Sequence, residues 1–127
     1  MPNLTATKPL EAIGHLYDAL RILESVLKEI GSGAIRGIEI SESLATAWFQ
    51  VNCCRLYAES DVNYEELNVE AMGLINDAKC MLDSLIDWQK GMTPYGRLYI
   101  THNIRSARAD LNLVLTELES WLSRQTF

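Results

Sequence analysis

One stretch of this 127-residue chain has the residue types to move a proton or hold an anion: YGRLYITHNIRSARAD, residues 95–110. It carries three of the seven arginines and one of the two histidines. Its single acid, Asp110, is at its end, in a chain of formal net charge −6. His102 supplies an imidazole that ordinarily titrates near neutrality. Arg97 and Arg105 supply guanidinium groups able to grip phosphate oxygens. Phosphoryl chemistry at His102, helped by either arginine, is therefore the catalytic class to weigh. A second group, Glu11, His15 and Asp18, is spaced i, i+4, i+7 and shares one helix face. That face lies opposite the apolar seam, so a metal there would be water-exposed and short of a ligand. No Glu-x-x-His pair supplies an inward-facing second set. The trio reads as a solvated surface, and neither a metal nor a cofactor is expected.

Two short resemblances attach to His102. RLYITH, residues 97–102, is similar to the Arg-x4-His motif of the HEPN ribonucleases, which are small all-α domains. That resemblance implies that Arg97 and His102 act on a scissile RNA phosphate across a dimer. It covers six residues, and Leu98 stands where the family usually has a polar side chain. HNIRSARADLN, residues 102–112, resembles the phosphoacceptor segment of histidine phosphotransfer domains. Ile104, Arg105, Ser106, Ala107 and Leu111 fit that pattern, and Asn112 replaces its glycine. The resemblance implies that His102 accepts a phosphoryl group with Arg105 beside it. Those domains also carry a helical hairpin after the histidine helix, and here 25 residues follow His102.

The elements that position these groups read as helices. Helix 1 is expected from Pro9, a favoured first-turn residue, with Gly31 or Gly33 as C-cap, and residues 1–8 form a loose tail before a 9–127 helical domain. Ile13, Leu16, Leu20, Leu23, Leu27 and Ile30 form a heptad seam. The Gly-rich GSGAIRGIEI (31–40) then interrupts, and its AIRGIEI segment is the one place where a brief strand is conceivable. Helix 2 is expected from a Ser41 or Ser43 cap. It is apolar nearly all round: Leu44, Trp48, Val51 and Cys54 on one side, Phe49, Cys53, Leu56 and Tyr57 on another. Such a helix is centrally buried or covered by a partner, and bundles seldom bury one member completely.

Helix 3 opens on a capping-box spacing, Asn63 with Glu66, and its seam runs Leu67, Ala71, Leu74, Ala78, Met81, Leu85, Trp88. KGMTP makes a short turn with Gly91, Thr93 and Pro94 as its terminators. Helix 4 follows, with Ile100, Ile104, Ala107, Leu111, Val114, Leu118 and Trp121 on its seam. So short a turn makes helices 3 and 4 an antiparallel hairpin. The expected fold is an all-α four-helix bundle of one domain.

Charge divides unevenly between the hairpin's halves. Residues 61–90 hold seven acids against Lys79 and Lys90, whereas the first half of helix 4 is basic. Folding about residues 92–93 is expected to set Arg108 near Asp77 and Arg97 near Asp87. Arg105 would fall near Lys79. The basic stretch then pairs with its acidic neighbour and helps choose which helices pair.

A pI near 4.8 argues against wrapping nucleic acid or lying on an anionic membrane, since both need a basic face. No apolar run is long enough for a membrane span, and the N-terminus lacks a secretory signal pattern. Cys53, Cys54 and Cys80 are odd in number and lack metal-ligand spacing. They read as reduced, mostly buried thiols of a cytoplasmic protein. GSGAIRG follows a helix rather than a strand, so it is not read as a phosphate cradle.

The expected function is non-enzymatic: a small acidic interaction module of adaptor, inhibitor, immunity or chaperone type. Trp48, Phe49 and Tyr57 are its expected aromatic anchors. Glu65, Glu66 and Glu70 would steer a partner with a basic surface. Helix 2 is also a candidate homodimer face. The alternative is catalysis or signalling at His102 with Arg97 or Arg105.

Overall fold

A computed structural model describes residues 4–32, 37–57, 65–84 and 94–125. They form four helices: α1 (Leu4–Ser32), α2 (Gly37–Tyr57), α3 (Glu65–Ser84) and α4 (Pro94–Gln125). No strand occurs among the described residues. Each helix packs on its neighbours in the chain, and α4 closes the ring against α1. The bundle therefore runs in the cyclic order α1, α2, α3, α4, with α1/α3 and α2/α4 as diagonals.

Cross-helix contacts fix the directions. His15 on α1 meets Gln50 on α2, Asn68 on α3 meets Cys54 on α2, and Asp110 on α4 lies within electrostatic reach of Glu70 on α3. In every case the early half of one helix meets the late half of the next, as in an antiparallel up-and-down bundle. No helix among the described residues is long and apolar enough to cross a membrane.

The core is a set of heptad seams facing inward. α1 buries Ala12, Leu16, Ala19, Leu23, Val26 and Ile30, while Ile13 and Leu27 pack only at the margin. α4 buries Ile100, Ile104, Ala107, Leu111, Val114 and Leu118, as its periodicity predicts. On α3 the buried positions are Asn68, Ala71, Ile75 and Ala78, so Leu74 lies at the edge of the core instead of within it. The seam is rotated by about half the width of an apolar face, because Ile75 outcompetes Leu74 for the centre.

The start of α1 departs from expectation, and its end at Ser32 fits Gly33, not Gly31, as the terminating glycine. The helix begins at Leu4, ahead of Pro9, and so takes in residues read from the sequence as tail. Proline deprives only the Thr5 carbonyl of its intrahelical donor, and nothing in LTATK stops the helix propagating backwards. At the other end α1 passes Gly31 to Ser32, whose hydroxyl donates 2.9 Å to the Glu29 carbonyl and satisfies one terminal acceptor. α2 starts at Gly37, not from a Ser41 or Ser43 cap, and Gly37–Ile40 is helix rather than strand. The gain is full burial of Ile40, which extends the seam Ile40, Leu44, Ala47, Val51, Cys54 by one turn. Pro94 is the first residue of α4, the position proline favours. Asn63, Leu85, Asp87, Trp88, Gly91 and Thr93 lie outside the described residues.

Candidate interaction surface

With Leu44, Val51 and Cys54 facing the core, helical periodicity turns Phe49 directly outward and Trp48 toward α3. Phe49 is 57% exposed and Trp48 37%. Trp48 stands over a cavity of about 250 Å³ in the α2–α3 seam, lined by Leu44, Ala45, Ile75, Asn76 and Lys79 besides the indole. Further along the same seam Val69 on α3 is half exposed, and a Cβ added at Gly73 would meet no atom within 4 Å. The result is an open apolar trough. Its lining holds one charged residue, Lys79; Glu42 on α2, and Glu70 and Asp77 on α3, are exposed elsewhere on these two helices. Of the expected anchors and acids, the side chains of Tyr57, Glu65 and Glu66 lie outside the described residues.

At the deep end of this seam Asn68 and Cys54 are fully buried. Asn68 Nδ2 reaches toward Cys54 Sγ at 4.0 Å, a long contact even for sulfur, and Asn68 Oδ1 has no partner. Burial pushes the Cys54 thiol up to about 12; the Asn68 contact opposes this and neighbouring Cys53 adds slightly to it. The thiol therefore stays protonated and unreactive. Cys54 alone meets the expectation of buried thiols, since Cys53 is half-buried and Cys80 exposed. Sequence reading missed Asn68. The signal was present, because Asn68, Ala71, Ile75 and Ala78 keep a 3-4-3 spacing.

Arg108 does not pair with Asp77 as expected, while the expected Arg97–Asp87 pairing falls outside the described residues. Asp110 lies within electrostatic reach of Glu70, which sets Arg108 near the level of Met72, more than a turn from Asp77. Edge matters as much as level. Asn112 and Leu115 line a cavity with Tyr17, Leu20, Arg21 and Glu24 of α1, which identifies the α1-facing edge of α4. Arg105 and Arg108 lie seven residues before Asn112 and Leu115, on that same edge, and Arg97 lies three turns before Arg108. The α3-facing edge carries Asp110 instead, one of whose oxygens is buried without a partner. Burial first, and the Glu70 carboxylate second, raise the Asp110 pKa above its ordinary value.

His102 is exposed on the outward face of α4, with Arg105 exposed one turn further on. Arg97 is exposed too, but five residues of continuous helix put it about 140° around the axis from His102. Within one copy these two side chains cannot converge on one phosphate. On α1, His15 Nδ1 lies 2.6 Å from Gln50 Oε1; an amide oxygen only accepts, so the imidazole proton sits on Nδ1. Asp18 accepts from Arg21 at 2.9 Å. Two members of the spaced Glu11–His15–Asp18 trio are thus engaged in the fold. Compared with known proteins, the chain matches no family model, no curated protein and no solved structure.

Proposed function

We propose that this chain is a non-enzymatic helical interaction module that works in the cytoplasm by binding another protein through the α2–α3 face. The observation that carries the reading is the outward placement of Trp48 and Phe49 beside an unfilled apolar trough. Large aromatics dominate interface energetics because they remove much apolar surface from water at low entropic cost. The −6 net charge and the exposed Glu42, Glu70 and Asp77 favour a partner with a basic surface. Glu65 and Glu66 extend the acidic character at the start of α3.

The test is recovery of the partner from the native cell with tagged wild type, Trp48→Ala, Phe49→Glu and His102→Ala. Loss of the partner with both α2 variants and its retention with His102→Ala is the expected result. Acid-labile phosphate on His102, or RNA cleavage that disappears in Arg97→Ala, would instead move the function to α4.

A further inference from the structure

The arginines that α4 turns toward α1 meet few acids there. Arg21 and Glu24 of α1 and Asn112 and Leu115 of α4 line one cavity of about 430 Å³, so they share one level of the α1–α4 groove. The two helices are antiparallel. Seven residues forward on α1 and seven back on α4, two turns each, therefore reach a second level of the same groove. There α1 places Lys28 and Gly31, and α4 places Arg105 and Arg108. Lys28 and Arg105 are exposed, and Arg108 is half-buried. Gly31 leaves the groove open, because a Cβ there would meet no atom within 4 Å. Among the described residues none of these three cations is held in an ion pair, whereas Arg21 is held by Asp18 at 2.9 Å. Of the residues that face the groove at the two levels, Glu24 alone is an acid. A chain of net charge −6 thus gathers three unpaired cations beside a cavity whose walls include Tyr17, Leu20 and Leu115.

We infer that the α1–α4 groove is a second docking site, for an acidic amphipathic segment of a partner protein. Its carboxylates lie against Lys28, Arg105 and Arg108, and an apolar side chain two turns away, about 10 Å along a helix, enters the cavity. The inference goes beyond the α2–α3 reading and does not depend on it. Charge selects the occupant, since guanidinium groups pair with carboxylates through two parallel hydrogen bonds. The apolar walls of the cavity favour a protein segment over RNA. A long phosphate chain would also run off this short basic stretch onto an acidic surface that repels it.

The probes are a fluorescein-labelled helical peptide with a leucine two turns from a cluster of three glutamates, the same peptide with glutamines in their place, and a single-stranded RNA of equal charge. Fluorescence anisotropy reads their binding to the full chain. Wild type should bind the glutamate peptide at about 50 mM salt, lose most of that affinity by about 300 mM, and leave the glutamine peptide free. Arg105→Glu and Lys28→Glu should each weaken binding about tenfold. Tyr17→Ala should weaken it less, by loss of a cavity wall. Glu24→Gln should tighten it, because it removes the one acid facing the groove. Phe49→Glu, on the opposite side of the bundle, should leave it unchanged. All five residues are exposed, so circular dichroism should report the same helix content throughout. Absence of binding at low salt overturns the inference, as does binding that Arg105→Glu and Lys28→Glu leave intact. Tighter binding of the RNA, lost in the same two variants, overturns it as well and makes the groove a nucleic-acid surface.

Discussion

α3 is held between two seams of opposite chemistry. Against α2 it sets Ile75, the trough, and the neutral, fully buried pair Asn68 and Cys54. Against α4 it sets Glu70 beside the Asp110 carboxyl. Both seams carry an unfavourable element: an amide oxygen without a partner in the first, carboxylate repulsion in the second. The first is indifferent to pH; the second titrates. Among the described residues α3 fully buries Ala71, Ile75, Ala78 and Asn68, and larger side chains from its neighbours fill the space around them. The contrast shows one helix anchored by few large contacts and bordered by polar groups that specify where it sits more than how tightly.

The largest expected difference between the seams is in reactivity. A rise in the Cys54 pKa from 9.0 to about 12 cuts its thiolate fraction by about a thousandfold. Alkylation followed by mass spectrometry should modify exposed Cys80 first and Cys54 last, at least about a thousandfold slower than in the unfolded chain. Early labelling of Cys54 would mean that the α2–α3 seam opens locally. Next in size is Ile75→Ala, which removes the one large apolar side chain fully buried on α3 among the described residues. It should cost about 2–5 kcal/mol in urea unfolding. Asn68→Leu should act in the other direction and stabilise by about 1 kcal/mol, since it removes an orphaned buried acceptor.

The smallest effect belongs to the acidic seam. The folded-state pKa of Asp110 is raised, so the protonated form favours the native state. Its share of stability is fully present below the ordinary value of 3.8 and is lost as pH rises through the folded value. Asp110→Asn should therefore raise the melting temperature at pH 7, by the equivalent of less than about 1 kcal/mol after solvent screening. The advantage over wild type should vanish when both are melted below about pH 4. An advantage that persists there would assign the effect to packing.

Periodicity made much of this legible. Every residue of the α4 seam expected from Ile100 to Leu118 is buried, and the face is wider than the seam, since Asn103 and Leu115 are buried beside it. α2 was legible in a different sense: it carries more apolar surface than one seam absorbs, and Phe49 is left outside. α3 was misread by one position because Leu74 and Ile75 are adjacent and only one can point inward. The start of α1 was misread because Pro9 was given too much weight, and the start of α2 because the glycines were weighed above the burial of Ile40.

The sequence by itself determined four helices, three of them amphipathic and one apolar nearly all round, the antiparallel order of the hairpin and the acidic excess, since each follows from composition, local spacing and short connections. Only the tertiary structure decided the neighbours. Periodicity locates a side chain relative to its own helix's core face, yet two edges border that face, and each meets a different helix. Arg97, Arg105 and Arg108 could not be assigned to the α1 edge, nor Asp110 to the α3 edge, until the cyclic order of the bundle was fixed.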